Sequence, residues 1–152
     1  MKTVYCIDAS SLLRAWNEAY PIDIFPTFWD RLEALVTDNR IIAPDLVRDE
    51  CRDPDLQKWL KPRPAMFRKR EVNIQAEAVR VLAAYPKLVA LPKRNASADP
   101  FVIGLARVVG ATIITEEGAG SPGKPTIPLV TANPSFTCPT WNLLRMIRAE
   151  KW

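Results

Sequence analysis

Short apolar segments alternate with helical segments along the chain, and this order restricts the fold more than any other feature. Residues 3–7, 41–43 and 111–115 are apolar and bounded by polar or turn-forming residues, which is typical of buried strands. The stretches between them carry apolar residues at helical spacing. Because parallel strands are covered by helices on both faces, this order predicts an α/β fold: a three-layer α/β/α arrangement around a central, mainly parallel sheet.

Prolines and small polar residues mark the predicted helix ends. Asp99-Pro100 has the form of an N-cap followed by proline at the first helical position, and Gly110 ends that helix. Ser10 or Ser11 is expected to cap the first helix. The predicted helices begin at Ser10 or Ser11, Pro26 and Pro44 and cover 55–60, 71–84, 99–109 and 140–150, and the loop 118–139 holds a short strand near Leu129-Val130.

Length and composition are those of an ordinary globular domain. The 152 residues, 48% hydrophobic and 25% charged, predict one domain over 1–152. No apolar run approaches the roughly 18 residues of a membrane span, and Asp8 interrupts the apolar start where an export signal would continue. Three isolated cysteines suit a reducing compartment. We therefore expect a cytoplasmic protein that does not bind membranes.

The chain contains no histidine, and this absence excludes many mechanisms. A Ser-His-Asp triad, a Cys-His pair and a histidine-ligated zinc site are all impossible. The three cysteines form no C-x-x-C pattern, so a cysteine-rich zinc site is not expected either. Acid–base or metal chemistry must then rest mainly on carboxylates.

Acidic residues follow two of the predicted strands. Asp8 follows the first strand, and Glu116-Glu117 follow the strand 111–115. Asp99 starts a helix, and Glu50 lies within two turns of another helix start. Carboxyl ends of parallel strands share one edge, so these acids are expected to converge there. Each also has a plain structural explanation as a helix cap or a solvated acid. Clustered together, they would suit a hard cation such as Mg²⁺ or Mn²⁺.

Several short motifs resemble those of one known family, the PIN domains, which is the fold of the VapC-type toxins of toxin–antitoxin pairs. The resemblance spans nearly the whole chain and includes features of a largely uncharacterised bacterial PIN-like subfamily. The matching stretches are Ile-Asp-Ala-Ser-Ser-Leu at 7–12, the helix start at 97–106, Ile-Ile-Thr-Glu-Glu at 113–117, the helical Glu50, and the segments 20–26 and 40–44.

The resemblance implies a metal-dependent ribonuclease that hydrolyses RNA phosphodiester bonds. Asp8, Glu50, Asp99 and Glu117 would then hold Mg²⁺ or Mn²⁺, while Ser10, Thr115 and Glu116 would be supporting residues. The family motif is usually Thr-x-Asp, and its spacing selects Glu117 over Glu116 as the ligand. Here Glu replaces the usual Asp, which places the carboxylate one methylene further out. An antitoxin protein and a second copy of the chain are partners that the family implies.

A basic stretch precedes the longest predicted helix. Residues 58–70 carry six Lys or Arg and no acid, and they include Trp59 and Phe67. Cations can pair with phosphates while aromatic rings stack on unpaired bases, which makes this stretch a candidate RNA-binding surface. A docking surface for an acidic antitoxin segment, or a solvated surface with inward-facing aromatics, would produce the same pattern. The RNA-binding candidates are Lys58, Arg68, Lys69 and Arg70.

Three competing functions are also open to test. Residues 118–124 fit the phosphate-binding pattern G-x-x-x-x-G-K. Such a loop needs Ser or Thr at the next position and then a helix, whereas Pro125 and Pro128 follow here. No nucleotide cofactor is therefore expected. A phosphatase of the haloacid-dehalogenase type needs a second Asp two residues after the first, and Ser10 stands there. A PIN-like module without turnover, binding RNA or a protein, is the main alternative.

Overall fold

The computed structural model describes residues 2–89 and 98–152. The strands are short, with two to four residues each, and helices separate them in sequence. In chain order the elements are β1 Tyr5–Ile7, α1 Ala9–Arg14 with a π-helical continuation Ala15–Ala19, α2 Pro26–Thr37, β2 Ile41–Pro44, α3 Asp45–Glu50, α4 Pro54–Leu60, β3 Phe67–Arg68, α5 Val72–Ala84, α6 Asp99–Val109, β4 Thr112–Ile114, α7 Ile127–Thr131, β5 Thr140–Trp141 and α8 Leu143–Glu150, with 3₁₀ turns at Pro64–Met66, Pro86–Val89 and Pro134–Phe136.

The five strands form one parallel sheet in the order β3-β2-β1-β4-β5. Tyr5 in the central strand lies opposite Ile41 on one side and Thr112 on the other. Every residue of β1, β2 and β4 is buried, which explains why these strands read as continuous apolar runs. Helices flank the sheet, so the predicted α/β fold with a central parallel sheet is confirmed. The strand order reverses between β1 and β4, and in such sheets ligands bind beyond the carboxyl ends at that point.

Helices α5 and α6 pack unusually closely. A Cβ atom added at Gly104 would lie 2.9 Å from the carbonyl oxygen of Ile74, so only glycine permits this approach. Helix α6 ends at Gly110, which adopts the left-handed conformation with φ of 73°, as its sequence predicts. Helix α6 also packs on β1, β2 and β4, which makes it a central support of the sheet.

The last third of the chain departs from the sequence-based expectations. The short strand predicted near Leu129-Val130 is wrong: these residues lie in α7, where the Thr126 hydroxyl accepts a hydrogen bond from the Leu129 amide and Pro128 occupies the first turn. The helix predicted from Thr140 begins only at Leu143. Thr140 and Trp141 instead extend the sheet as β5, which pairs with β4. Strand β3 is not predicted by the sequence, since two residues are too few to show a period.

Two predicted helix caps are displaced. Asp8, rather than Ser10 or Ser11, caps α1 by accepting a hydrogen bond from the Ser11 amide. Asp99 is the first residue of α6, and Ala98 occupies the cap position. Ser97, the first residue of the motif at 97–106, lies outside the described residues.

The C-terminal helix is fixed to the amino edge of the sheet by a compact polar cluster. Two nitrogens of Arg40 contact the Glu150 carboxylate at 2.8 and 2.6 Å, and the Tyr5 hydroxyl donates to the same group at 2.6 Å. The hydrogen bond from Arg40 holds the pKa of Glu150 below its usual value, while burial and Glu150 raise the pKa of Tyr5. These contacts join β1, the start of β2 and the end of α8.

All three cysteines are free and buried. Within the described part of the chain, none of the helices combines the length and the apolar character needed to span a bilayer.

Candidate active site

Asp8 stands where the central strand ends. Its backbone amide continues the sheet by donating to the Ile114 carbonyl at 3.1 Å, and its carboxylate turns back to cap α1. The residue is only 2% exposed. Burial raises the pKa of the Asp8 carboxyl, and hydrogen bonds from Thr115, Ser11 and Ser10 oppose that shift. Asp8 is thus a buried acid whose ionised form is held by hydrogen bonds from hydroxyl and amide groups.

Two hydroxyls position this carboxylate. Ser10 Oγ lies 2.8 Å from both carboxylate oxygens of Asp8, and Thr115 Oγ1 donates to Oδ2 at 2.5 Å. The same hydroxyl oxygens accept backbone amides from the segment after β4: Ser10 Oγ from Glu116 at 3.2 Å and Thr115 Oγ1 from Glu117 at 3.1 Å. The two hydroxyls therefore connect Asp8 with the loop that carries both glutamates.

Glu50 and Asp99 are also buried acids, and the Ala98 amide links the end of α3 to the start of α6. Glu50, the last residue of α3, is 6% exposed, and its Oε1 accepts the Ala98 amide at 2.7 Å. Asp99, the next residue after Ala98, is 8% exposed at the start of α6. Burial raises the pKa of the Cys51 thiol to about 12, and the charges of Glu50 and Asp8 add to this shift. The Cys51 thiol therefore lies within electrostatic reach of both Glu50 and Asp8.

The two consecutive glutamates have different surroundings. Glu116 Oε1 accepts the Leu143 amide at 2.8 Å at the start of α8, and its Oε2 lies 3.8 Å from Arg14. Glu117 instead lines an open pocket together with Thr115. Side chains of neighbouring residues in extended backbone point in opposite directions, which accounts for the different surroundings of Glu116 and Glu117. Glu116 therefore supports a helix, while Glu117 faces the solvent-accessible side of the site.

The donor chemistry of the site suits a hard divalent cation. The three buried charged side chains of the described residues, Asp8, Glu50 and Asp99, are all carboxylates, and carboxylate oxygens are the ligands that Mg²⁺ and Mn²⁺ prefer. The residue types therefore fit a divalent cation. Across residues 2–89 and 98–152, no three Asp, Glu, Cys or His side chains are grouped closely enough to hold an ion.

The basic stretch 58–70 is largely engaged with the protein itself. Trp59 and Phe67 are both 9% exposed, so their rings pack inward and are not available to stack on bases. Arg63 stacks on Trp59 with its guanidinium carbon 4.0 Å from the ring centre. Among the RNA-binding candidates, Lys58 pairs with Asp55 at 3.6 Å, Arg70 pairs with Asp45 at 3.2 Å, and Arg68 donates to the Ala65 carbonyl.

The glycine-rich segment after β4 does not form a phosphate-binding loop. Ser121 and Lys124 exchange backbone hydrogen bonds in a tight turn, and the next helix begins only at Ile127. A phosphate-binding loop continues directly into a helix, which this segment does not do.

Sequence reasoning misses Trp141 and Arg145, which line the pocket beside Glu117. The signal that could identify them is the spacing of four residues, which places a cation beside an aromatic ring. The spacing does not show that the pair lies beside Glu117, because the position of β5 next to β4 comes from tertiary pairing.

Comparison with solved structures agrees with this topology. The chain is similar to a chain in the crystal structure of VapBC2 from Rickettsia felis bound to a DNA fragment from their promoter. The TM-score is 0.55 at 13% sequence identity, over 92% of this chain and 98% of the other. The fold that the two chains share is the PIN-like α/β fold. No curated protein matches the sequence. A family model matches residues 5–152, and the chain belongs to that family, described as Domain of unknown function (DUF4411).

Proposed function

We propose that the protein is a Mg²⁺- or Mn²⁺-dependent endoribonuclease, acting as the toxin of a toxin–antitoxin pair. The observation that carries this proposal is the burial of three carboxylates, Asp8, Glu50 and Asp99, around the carboxyl edge of a parallel sheet. Burying carboxylates is costly for a fold, and a cation that binds there offsets that cost.

In this proposal Asp8, Glu50, Asp99 and Glu117 hold the cation. A bound divalent cation would supply activation of water and stabilisation of negative charge on the phosphoryl oxygens. Ser10 and Thr115 hold the Asp8 carboxylate in one orientation. Glu116 keeps α8 in place and does not bind the metal. Hydrolysis would leave a 5′-phosphate and a 3′-hydroxyl.

The partners follow from the same proposal. RNA is the substrate, and the partner that restrains the toxin is an antitoxin protein. The similar structure from Rickettsia felis is a VapBC2 complex bound to promoter DNA, which supports a paired protein for this chain. The exposed cations of the stretch 58–70 would contact either RNA or an acidic antitoxin segment, and a homodimer is a further state to test.

A PIN-like module without turnover is the second candidate, and one observation favours it. Both oxygens of Asp8 already accept hydrogen bonds within the protein, from Ser10, Ser11 and Thr115. A cation would have to compete with these donors. The module would then bind RNA or a protein partner without cleaving it.

Metal-dependent cleavage by pure protein separates the two candidates. Single-stranded RNA is incubated with the protein in Mg²⁺, in Mn²⁺ and in EDTA, and the product ends are analysed. We expect cleavage in the metal-containing reactions only, and its loss in Asp8→Asn. The matched control is Asp30→Asn, the same chemical change at an exposed position of α2. Equal activity in Asp8→Asn and in the control would reject the catalytic assignment, and no cleavage by the unaltered protein would favour the module.

A further inference from the structure

A pocket of about 280 Å³ opens beside the candidate active site, just below the roughly 300–1,000 Å³ typical of small-molecule sites. It lies where β4 and β5 end and α8 begins. Its walls are formed by Thr115, Glu117, Pro128, Thr140, Trp141, Asn142 and Arg145.

The pocket is directly connected with the buried acids. Its wall residue Thr115 donates a hydrogen bond to Asp8 at 2.5 Å, and its wall residue Glu117 is one of the proposed metal ligands. A group that occupies the pocket is therefore one side chain away from Asp8. The pocket therefore borders the candidate active site.

Arg145 is the cation of this pocket, and its charge is not used elsewhere in the described structure. Within residues 2–89 and 98–152 it forms no ion pair, whereas Lys58 and Arg70 of the basic stretch are paired with Asp55 and Asp45. Arg145 is exposed at the start of an eight-residue helix. An accessible cation without an ion pair, placed beside an acidic site, is suited to an anion.

The side chain of Arg145 is also held in place. Its guanidinium carbon lies 4.5 Å from the centre of the Trp141 ring, within the range of a cation–π interaction. Its backbone amide donates to Asn142 Oδ1 at 2.9 Å, which fixes the first turn of α8. Stacking leaves the guanidinium N–H groups available, and their fork geometry matches a phosphate.

We propose that this pocket binds a phosphate of single-stranded RNA next to the scissile one, with Arg145 as the contacting cation and Trp141 as the residue that positions it. The inference deepens the proposed function, and it rests on that function in taking RNA as the ligand. The contact would offset the repulsion between the RNA backbone and the carboxylates of Asp8 and Glu117.

The test is a binding measurement that does not depend on cleavage. A fluorescent single-stranded RNA oligonucleotide is titrated in EDTA, and the logarithm of affinity is followed against the logarithm of salt concentration by anisotropy. Each phosphate contact on a single strand contributes about −0.7 to this slope. We expect Arg145→Ala to make the slope shallower by about 0.7. Arg148→Ala, which removes the same charge one turn further along α8, is the matched control and should leave the slope unchanged.

Two further variants test how Arg145 is positioned. Arg145→Lys keeps the charge, so the slope should stay while affinity falls. Trp141→Leu should weaken binding by about two- to fivefold with the slope retained, because the cation loses its aromatic support, and Trp141→Tyr should restore the affinity.

The outcomes separate this inference from the nuclease proposal. The inference is overturned if the unaltered protein binds no RNA, or if Arg145→Ala and Arg148→Ala change the slope equally. If binding depends on Arg145 while no cleavage occurs in Mg²⁺ or Mn²⁺, the pocket assignment stands and the nuclease proposal fails. If cleavage is metal-dependent while the slope is unchanged in Arg145→Ala, the nuclease proposal stands and the pocket assignment fails.

Discussion

Replacing Asp8 by Asn separates the effect of its charge from that of its hydrogen bonds. Asn keeps an oxygen that can accept the Ser11 amide, and Asn caps helices as well as Asp does. Its NH₂ group would face the hydroxyls of Ser10 and Thr115, which can rotate to accept. The loss of charge-assisted hydrogen bonds, about 1.5–3 kcal/mol each, is opposed by the removal of a buried charge. We expect the free energy of unfolding to stay within about 1 kcal/mol of the original.

Asp8→Ala is the informative contrast. It removes the cap of α1, at about 0.5–2 kcal/mol, and leaves the hydroxyls of Ser10 and Thr115 without their acceptor, at about 1–3 kcal/mol more. Urea unfolding followed by circular dichroism would measure both variants. We expect Asp8→Ala to lose roughly 2–5 kcal/mol of stability.

Metal titration completes this experiment. A ligand that binds only the folded protein stabilises it by about 2.7 kcal/mol at a hundred times its dissociation constant. Mg²⁺ or Mn²⁺ should therefore raise the Tm of the unaltered protein and leave Asp8→Asn nearly unchanged. The reasoning is refuted if Asp8→Asn is as unstable as Asp8→Ala, since the charge would then be needed for stability. It is also refuted if the metal raises the Tm of Asp8→Asn as much as that of the unaltered protein.

Three further predictions concern the acids and the basic stretch. Glu117→Gln should reduce metal affinity and rate by about 10–100-fold more than Glu116→Gln, with Glu117→Asp retaining activity; calorimetry and cleavage assays measure this. Replacing the three basic residues at 68–70 with Ala should make the salt slope of RNA binding shallower by up to about two units. The pKa of Glu150 is lower in the folded protein than in the unfolded chain, where it is about 4.5. The Glu150 carboxylate therefore stabilises the fold at pH values above about 4.5, and this stabilisation is lost as the pH falls through the pKa of the folded state. Urea midpoints of the original protein and Glu150→Gln should therefore converge as the pH is lowered below about 4.5.

Each of these three predictions would be contradicted by a specific result. A larger loss in Glu116→Gln than in Glu117→Gln would mean that the motif is misplaced by one residue. An unchanged salt slope would assign the basic stretch to a protein partner or to solvent. A stability difference between the original protein and Glu150→Gln that stays constant from pH 7 to about 3 would show that the carboxylate adds nothing through its charge.

The sheet is predictable because its central strands are buried on both faces. A strand such as Tyr5–Ile7 shows a continuous apolar run that ends at an acid, and this pattern is visible without any structure. The burial of Asp8, Glu50 and Asp99 follows from the same topology. The hydrogen bonds that orient these side chains, such as the one from the Ala98 amide to Glu50, depend on tertiary contacts and could not be predicted from the sequence.

The errors lie where local sequence is ambiguous. Leu129 and Val130 suit a short buried strand, yet the Thr126 hydroxyl and Pro128 start a helix there. The sequence pattern assigns Thr140 and Trp141 to a helix because a strand of two residues is too short to show a period. The position of this strand beside β4 comes from tertiary pairing. The inward packing of Trp59 and Phe67 likewise depends on long-range contacts that no local pattern encodes.

Helix α8 is held at both ends, one beside the carboxyl ends of the strands and the other beside their amino ends. At one end Glu116 holds its first turn beside the acids, and at the other end Arg40 and Tyr5 hold Glu150. Side-chain hydrogen bonds therefore hold both ends of the helix that carries Arg145. If Arg145 contacts RNA as proposed, substitutions of Tyr5, Arg40 or Glu150 should change RNA binding although these residues lie at the other end of the helix.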